Sequence, residues 1–143
     1  MDVLDQKGRT RIAAVMSFDD RIVADLMVDK SKMIFVKTRD LLGPLMLDKL
    51  YKSGFTNFPV VDSKEHVKGV IHTEALNALE IRETDRAEKY MNKTVSYLKT
   101  TDSLEFAVKE IERTNSYYFL VLDLSGELAG FFTAKMLLDY LLG

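Results

Sequence analysis

Few side chains in this sequence are of types that perform chemistry, and those few do not gather. His66 and His72 are its only imidazoles and it has no cysteine, so thiolate nucleophiles, disulfides and thiolate-bound metals are excluded. The two histidines do not stand at the spacing that sets a pair of metal ligands on one helical face. Asp19 and Asp20 are adjacent carboxylates, but consecutive helical residues point apart and do not converge on one substrate. No Walker-type phosphate loop, G-x-G-x-x-G or G-x-S-x-G occurs. The sequence therefore predicts neither an enzyme nor a metal centre. It offers hydroxyl chemistry in a repeated setting instead. Thr38 and Thr100 each follow a lysine and precede an aspartate by two residues, a context suited to meeting a ligand or to capping a helix.

That setting belongs to a longer duplication. Lys37, Thr38, Asp40 and Leu42 match Lys99, Thr100, Asp102 and Leu104 at one constant offset, and Val61, Asp62, Gly69 and Leu76 match Leu122, Asp123, Gly130 and Leu137 at an offset one smaller. A one-residue gap near Gly54 reconciles the two. Similarity over roughly 60 residues in only two copies points to a paired, pseudo-symmetric domain, since solenoid repeats are shorter and more numerous. Two equal halves imply a seam, and the seam is the expected ligand site.

Composition agrees with a packed domain. The chain has 143 residues, 47% hydrophobic and 29% charged, enough to bury about two-thirds of its unfolded surface. A net charge of −2 has the wrong sign for affinity built on neutralising many phosphates, so nucleic acid is excluded as the main partner. No apolar run reaches the length needed to span a bilayer, and the start, MDVLDQKGRTR, lacks the apolar core of a signal peptide. The expectation is a cytoplasmic chain without direct membrane insertion, lying at the inner membrane face if it is part of a larger transporter.

Each copy reads as strand, helix, strand, strand, helix. In the first, Met33 to Val36 is an apolar strand. A helix follows with Pro44 in its first turn and Leu45, Met46 and Leu50 near helical spacing, and Gly54 ends it. Phe58 to Val61 reads as a buried strand, Asp62 to Lys68 as a hairpin turn and Gly69 to His72 as the antiparallel partner, with a closing helix carrying Ala75, Leu76 and Leu79. In the second, Asp102 and Glu105 resemble a capping box. Leu104, Ala107, Val108 and Ile111 form one apolar stripe that should pack on a sheet. Phe119 to Leu122 pairs across a turn at Ser125 and Gly126 with Ala129 to Phe132, and Met136, Leu137, Tyr140 and Leu141 line the last helix. Ile12 to Met16 suggests a lead-in helix, and Ser17 with Asp20 a cap for a second one through Ile22, Val23 and Leu26. The predicted organisation is a helical lead-in over residues 1–21, a first repeat over 22–81, a charged linker over 82–92 and a second repeat over 93–143.

These residues carry a family resemblance. TNFPVVDSKEHVKGVIHTEAL in the first half and YYFLVLDLSGELAGFFTAKML in the second resemble a tandem pair of cystathionine-beta-synthase (CBS) domains, a Bateman module, over roughly Ile22 to Leu142. More narrowly, VADLMVDKSKMIFV and LDKLYKSGFTNFPVVD, with GVIHTEAL after it, resemble the CBS region of hemolysin C-like and magnesium/cobalt efflux proteins. The resemblance implies an α+β fold of two pseudo-symmetric β-α-β-β-α repeats packed sheet to sheet. It also implies a regulatory role: binding AMP, ADP, ATP (with or without magnesium) or S-adenosylmethionine without any required cofactor, and passing occupancy to an attached enzyme, channel or transporter. A homodimer is implied too, with Leu137, Tyr140 and Leu141 as apolar surface.

Carried over by position, the resemblance places Thr38 and the run Thr56, Asn57, Phe58 and Pro59 in one cleft, with Thr100, Tyr117, Tyr118 and Phe119 as their counterparts. His72 and Thr133 end the Gly-hydrophobic-hydrophobic strands, where ribose or phosphate is met, and Lys135, Lys68 and Arg39 are candidate phosphate contacts. Adjacent Tyr117 and Tyr118 must face opposite sides of a strand. The chain departs from the family where many nucleotide-binding repeats carry a ribose-binding Asp, because Ala75 and Met136 stand there, and Asn57 replaces an Arg common in the efflux proteins. Losing a carboxylate's charged hydrogen bond is expected to weaken binding by about 10- to 100-fold. The alternative is a pair kept for its shape, a dimerisation or scaffold element without nucleotide.

Overall fold

A computed structural model describes residues 20–143. The expected lead-in helix at Ile12 to Met16, the Ser17 cap and Asp19 lie outside the described residues. The fold is α+β, and its contacts divide into two compact units: Ile34–Val95, and Ser96–Gly143 joined by the segment before Ile34.

That segment holds helix α1 (Val23–Leu26) and strand β1 (Val28–Asp29). The start of α1 is capped by Asp25, whose carboxylate accepts the Ile22 N–H at 3.0 Å. The first half of the chain contains β2 (Val36–Lys37), α2 (Pro44–Lys52), β3 (Asn57–Val61) and β4 (Val67–His72). The second half contains β5 (Ser96–Lys99), α3 (Leu104–Thr114), β6 (Tyr118–Leu122), β7 (Leu128–Thr133) and α4 (Ala134–Leu142).

The duplication extends to hydrogen-bond register. In one sheet β2 pairs parallel with β3 and β3 antiparallel with β4; β5, β6 and β7 repeat this order. Val36 faces Val60 as Leu98 faces Val121, and both hairpins bulge at equivalent steps, Val60/Val61 and Val121/Leu122. Each hairpin turn is organised by its aspartate: Asp62 accepts the N–H groups of Lys64 and His66, and Asp123 those of Ser125 and Glu127.

Each sheet is completed by the lead-in that chain order would give to the other half. β1 pairs antiparallel with β7, Val28 facing Phe131, and Ile22 bridges to Ser103. In the first-half unit Asn92 bridges to Val70 and Arg86 to Leu41, at the equivalent positions. Residues 22–33 thus build the second-half sheet, although the sequence places them at the head of the first repeat. The charged stretch read as a linker folds onto the first-half unit, where Ala87 is fully buried. Alternation of charge in that stretch hid Ala87, which anchors it together with Tyr90 and Met91.

The α3 stripe is buried as expected and packs with Phe119, Val121 and Phe132. Its cap is Ser103, whose hydroxyl accepts the Phe106 N–H at 3.0 Å, and not the Asp102 and Glu105 box; Asp102 accepts the Lys99 N–H. The closing helix of the first half does not form. A single 3-10 turn spans Thr73–Ala75, and Leu79 is 97% exposed. Asn77 accepts the Leu79 N–H, a local bond that competes with helix propagation. Leu137, expected at a dimer surface, is 1% exposed and belongs to the core. Among the described residues no helix is long and apolar enough to cross a membrane.

Candidate functional site

The best-defined polar site in the first-half unit is the corner where β3 begins and β4 ends. Asn57 and His72 face each other in register across these strands. The Asn57 Oδ1 lies 2.5 Å from the His72 Nδ1, and the Asn57 Nδ2 donates to the Thr56 Oγ1 at 3.1 Å. Asn57 thus links the imidazole to the Thr56 hydroxyl through the two ends of its amide. Thr73 closes the corner: its N–H and its hydroxyl both donate to the Thr56 carbonyl, at 2.9 and 3.1 Å. This pair of hydrogen bonds satisfies both donors of Thr73, which is only 5% exposed.

The second-half unit repeats the corner with other side chains. Tyr118 faces Thr133 in register, and the Ala134 N–H donates to the Tyr117 carbonyl as Thr73 does to Thr56. The Thr133 hydroxyl caps α4 by accepting the Met136 N–H at 3.1 Å. Tyr117 and Tyr118 diverge as strand geometry requires: Tyr117 is 39% exposed, while Tyr118 is 5% exposed and stacks on Phe131 at 5.3 Å between ring centroids. Burial pushes the Tyr118 phenol pKa up. Ser96 and Ser116, which the sequence reading passed over, place their hydroxyls 2.8 Å apart and lead β5 and β6 to this corner. Their pairing joins residues twenty apart in sequence, and no short motif announces it.

Other expected contacts lie elsewhere. Thr38 and Thr100 sit at the far ends of β3 and β6 from the corners, their N–H groups donating to the carbonyls of Val61 and Leu122. Neither caps a helix. Their carbonyls accept the N–H groups of Glu88 and Ala24, so they hold the exchanged lead-ins. Phe58 and Phe119 are core residues, and Pro59 is buried. Lys68 lies beside Asp62 in the first hairpin, and the exposed Arg39 follows Thr38. Lys135 is close to the second corner, with its ammonium 2.9 Å from Asp139.

Charge at the first corner is set by two groups. Desolvation lowers the His72 pKa below its ordinary value, and the nearby Glu74 carboxylate works the other way. Of Thr56, Asn57, His72, Thr73 and Glu74, only His72 can carry a positive charge.

Residues 87–143 match the CBS domain family. They are a CBS domain. Over 146 residues the chain is 25% identical to the magnesium and cobalt efflux protein CorC of Escherichia coli K12, covering 99% of this chain and 49% of that protein. The chain thus spans about half the length of the curated relatives it matches. A CBS domain-containing protein from Bacillus anthracis superposes with a TM-score of 0.70 at 26% identity, covering 87% of this chain and 94% of that one. The CBS domain of a bacterial CNNM/CorC family Mg2+ transporter in complex with ATP superposes with a TM-score of 0.75 at 15% identity, covering 96% of this chain and 97% of that one. The register, bulge and turn aspartate of the CBS domain at 87–143 all recur in the first half.

The first corner presents hydroxyls, an amide and an imidazole, and the second presents the Thr133 hydroxyl beside two tyrosines. At the positions where the resemblance implies a ribose-binding carboxylate, Ala75 ends the 3-10 turn and Met136 packs against the second-half core.

Proposed function

We propose that this chain is a regulatory ligand-binding module that senses an adenosine nucleotide and passes its occupancy to an attached or partner protein, a magnesium/cobalt transporter being the partner its relatives suggest. The observation that carries this reading is the duplicated corner, in which the same strand register and backbone bond from Thr73 or Ala134 hold Asn57 with His72 in one half and Tyr118 with Thr133 in the other. Its likeness in fold to a CBS domain complexed with ATP supports the ligand class. In this reading the module acts without catalysis, at the cytoplasmic face of a membrane or free in the cytoplasm, and as a homodimer.

Titration calorimetry with AMP, ADP, ATP with and without magnesium, and S-adenosylmethionine tests the ligand. Saturable heat with at least one adenylate is expected, and none at millimolar concentration contradicts the reading. Light scattering tests the dimer, which a single-chain mass at high concentration rules out.

One observation favours a second reading, a scaffold with empty corners: Ala75 and Met136 leave both ribose positions without an acceptor. Absence of adenylate binding together with a stable dimer would select it.

A further inference from the structure

Beyond the two corners the halves diverge. In the second half β7 runs directly into α4, and at the offset that sets Leu76 on Leu137 the residues Ala75, Asn77 and Leu79 correspond to Met136, Leu138 and Tyr140. Leu137 belongs to the second-half core, and all three of those counterparts pack against it. In the first half the same stretch makes one 3-10 turn and leaves Leu79 97% exposed. Its sequence is not that of a loop. TEALNALE, residues 73–80, has no glycine or proline, and six of its eight residues are Ala, Leu or Glu, all good helix formers. Two local differences account for the contrast. The Thr133 hydroxyl caps α4 by accepting the Met136 N–H, whereas His72 at the equivalent place makes no capping bond. The Asn77 Oδ1 accepts the Leu79 N–H at 3.1 Å and the Asn77 carbonyl accepts the Glu80 N–H at 3.0 Å, which takes both donors out of helical register. Leu138 has no side-chain acceptor with which to do the same.

We propose that residues 73–80 form a lid over the first-half corner, held open by Asn77 and closing as a helix when a ligand occupies the corner. The proposal rests on the nucleotide reading above and assigns that site a conformational output. A helix of about two turns is not stable in water on its own, so the closed form depends on packing its apolar side. Leu79 supplies that packing. Leu76 already lies against the first-half core, and on a helix Leu79, three residues on, shares its face. The two forms thus exchange one side-chain bond of Asn77 for the burial of one exposed leucine, a balance that a ligand can tip. Its preference for the closed form follows from where the lid is anchored. Thr73 is tied to the Thr56 carbonyl through both its N–H and its hydroxyl, so a helix continuing from it borders whatever sits beside Asn57. A ligand that touches the lid only when it is wound shifts the population by that difference in affinity. Occupancy of the corner is thereby converted into the covering of Leu79, a change of surface that an attached protein can read.

Carbon-13 NMR of the full chain reads the lid directly, through the Cα shifts of residues 75–80. In Asn77→Ala the competing bond is gone and helix propensity is higher, so these shifts should turn helical without any ligand. Saturating ATP should produce the same change in the wild type. A second readout uses the absence of cysteine from the chain. Leu79→Cys introduces a single thiol at a position exposed in the open form, and its reaction with a maleimide should slow about tenfold when ATP is bound. Calorimetry should show Asn77→Ala binding ATP about three- to tenfold more tightly than the wild type, because less of the binding energy goes into closing the lid. ATP binding that changes neither the shifts nor the labelling rate overturns the lid and leaves the nucleotide reading standing. Shifts that stay non-helical in Asn77→Ala overturn the lid as well, since Asn77 would then not be what holds it open. No ATP binding by either protein overturns both readings.

Discussion

Ala75 and Met136 occupy equivalent positions after the two corners, yet a carboxylate would behave differently at each. Ala75 is exposed at the end of a 3-10 turn, so Ala75→Asp adds an acceptor where water already solvates it. We expect ATP to bind this variant about 10- to 100-fold more tightly than the wild type, read by calorimetry. Met136 packs against the second-half core, and Met136→Asp should instead cost about 1–3 kcal/mol of stability in urea denaturation. The hairpin aspartates make a prediction of another kind. The Asp123 carboxyl is held below its ordinary value by the Ser125 hydroxyl first, then by the Glu127 and Ser125 N–H groups; the Asp62 carboxyl is held low chiefly by the His66 N–H. For a lowered carboxyl, stability is present above the unfolded pKa and is lost as pH falls through the lower folded value. Asp123→Asn should therefore reduce the melting temperature at neutral pH, with the gap to wild type closing as pH drops below 3.8, the ordinary carboxyl value. Both aspartates stand out in the sequence as repeat anchors. Thr73 does not, because its burial depends on the Thr56 carbonyl seventeen residues away.

At the scale of elements, the exchanged lead-ins explain two glycines. A Cβ on Gly130 would lie 2.1 Å from the Val28 carbonyl oxygen, and one on Gly69 would lie 2.7 Å from that of Asn92. Each glycine lets a lead-in lie flat against the last strand of its hairpin, and neither is needed for a turn. Gly130→Ala must push β1 off β7, because backbone cannot swing aside as a flexible side chain does. We expect a loss of about 1–3 kcal/mol or more in denaturant unfolding. Hydrogen exchange should quicken at Met27 to Asp29, and an unchanged protection pattern there would contradict the role given to Gly130. Local elements were legible: the α3 stripe, Pro44 at the start of α2 and both hairpins stand where periodicity and turn residues place them. The exchange was not, since Val28 with Phe131 and Asn92 with Val70 are pairings that no local pattern encodes. The closing helix of the first half failed for a local reason, the side-chain bond of Asn77.

For the whole molecule, the corners and the charge balance together set the scale of any ligand effect. A chain of net charge −2 draws no anion to itself at long range, and each corner lacks the ribose carboxylate, so nucleotide affinity should be submillimolar. Binding to the folded state alone stabilises by RT ln(1 + [L]/Kd), which at ligand near ten times Kd amounts to about 1.4 kcal/mol. For a chain of this size that corresponds to a rise in Tm of roughly 3–6 °C. We therefore expect ATP at several millimolar to raise the melting temperature by that amount at pH 7. Ala75→Asp should enlarge the shift. Adenosine at the same concentration should produce the smaller shift, because it brings no phosphate oxygens to accept hydrogen bonds from the corner's hydroxyl and amide groups. A melting temperature that responds equally to ATP and to inorganic triphosphate would mean that the base is not read at all, and the exposed Tyr117 ring would then have no part in recognition.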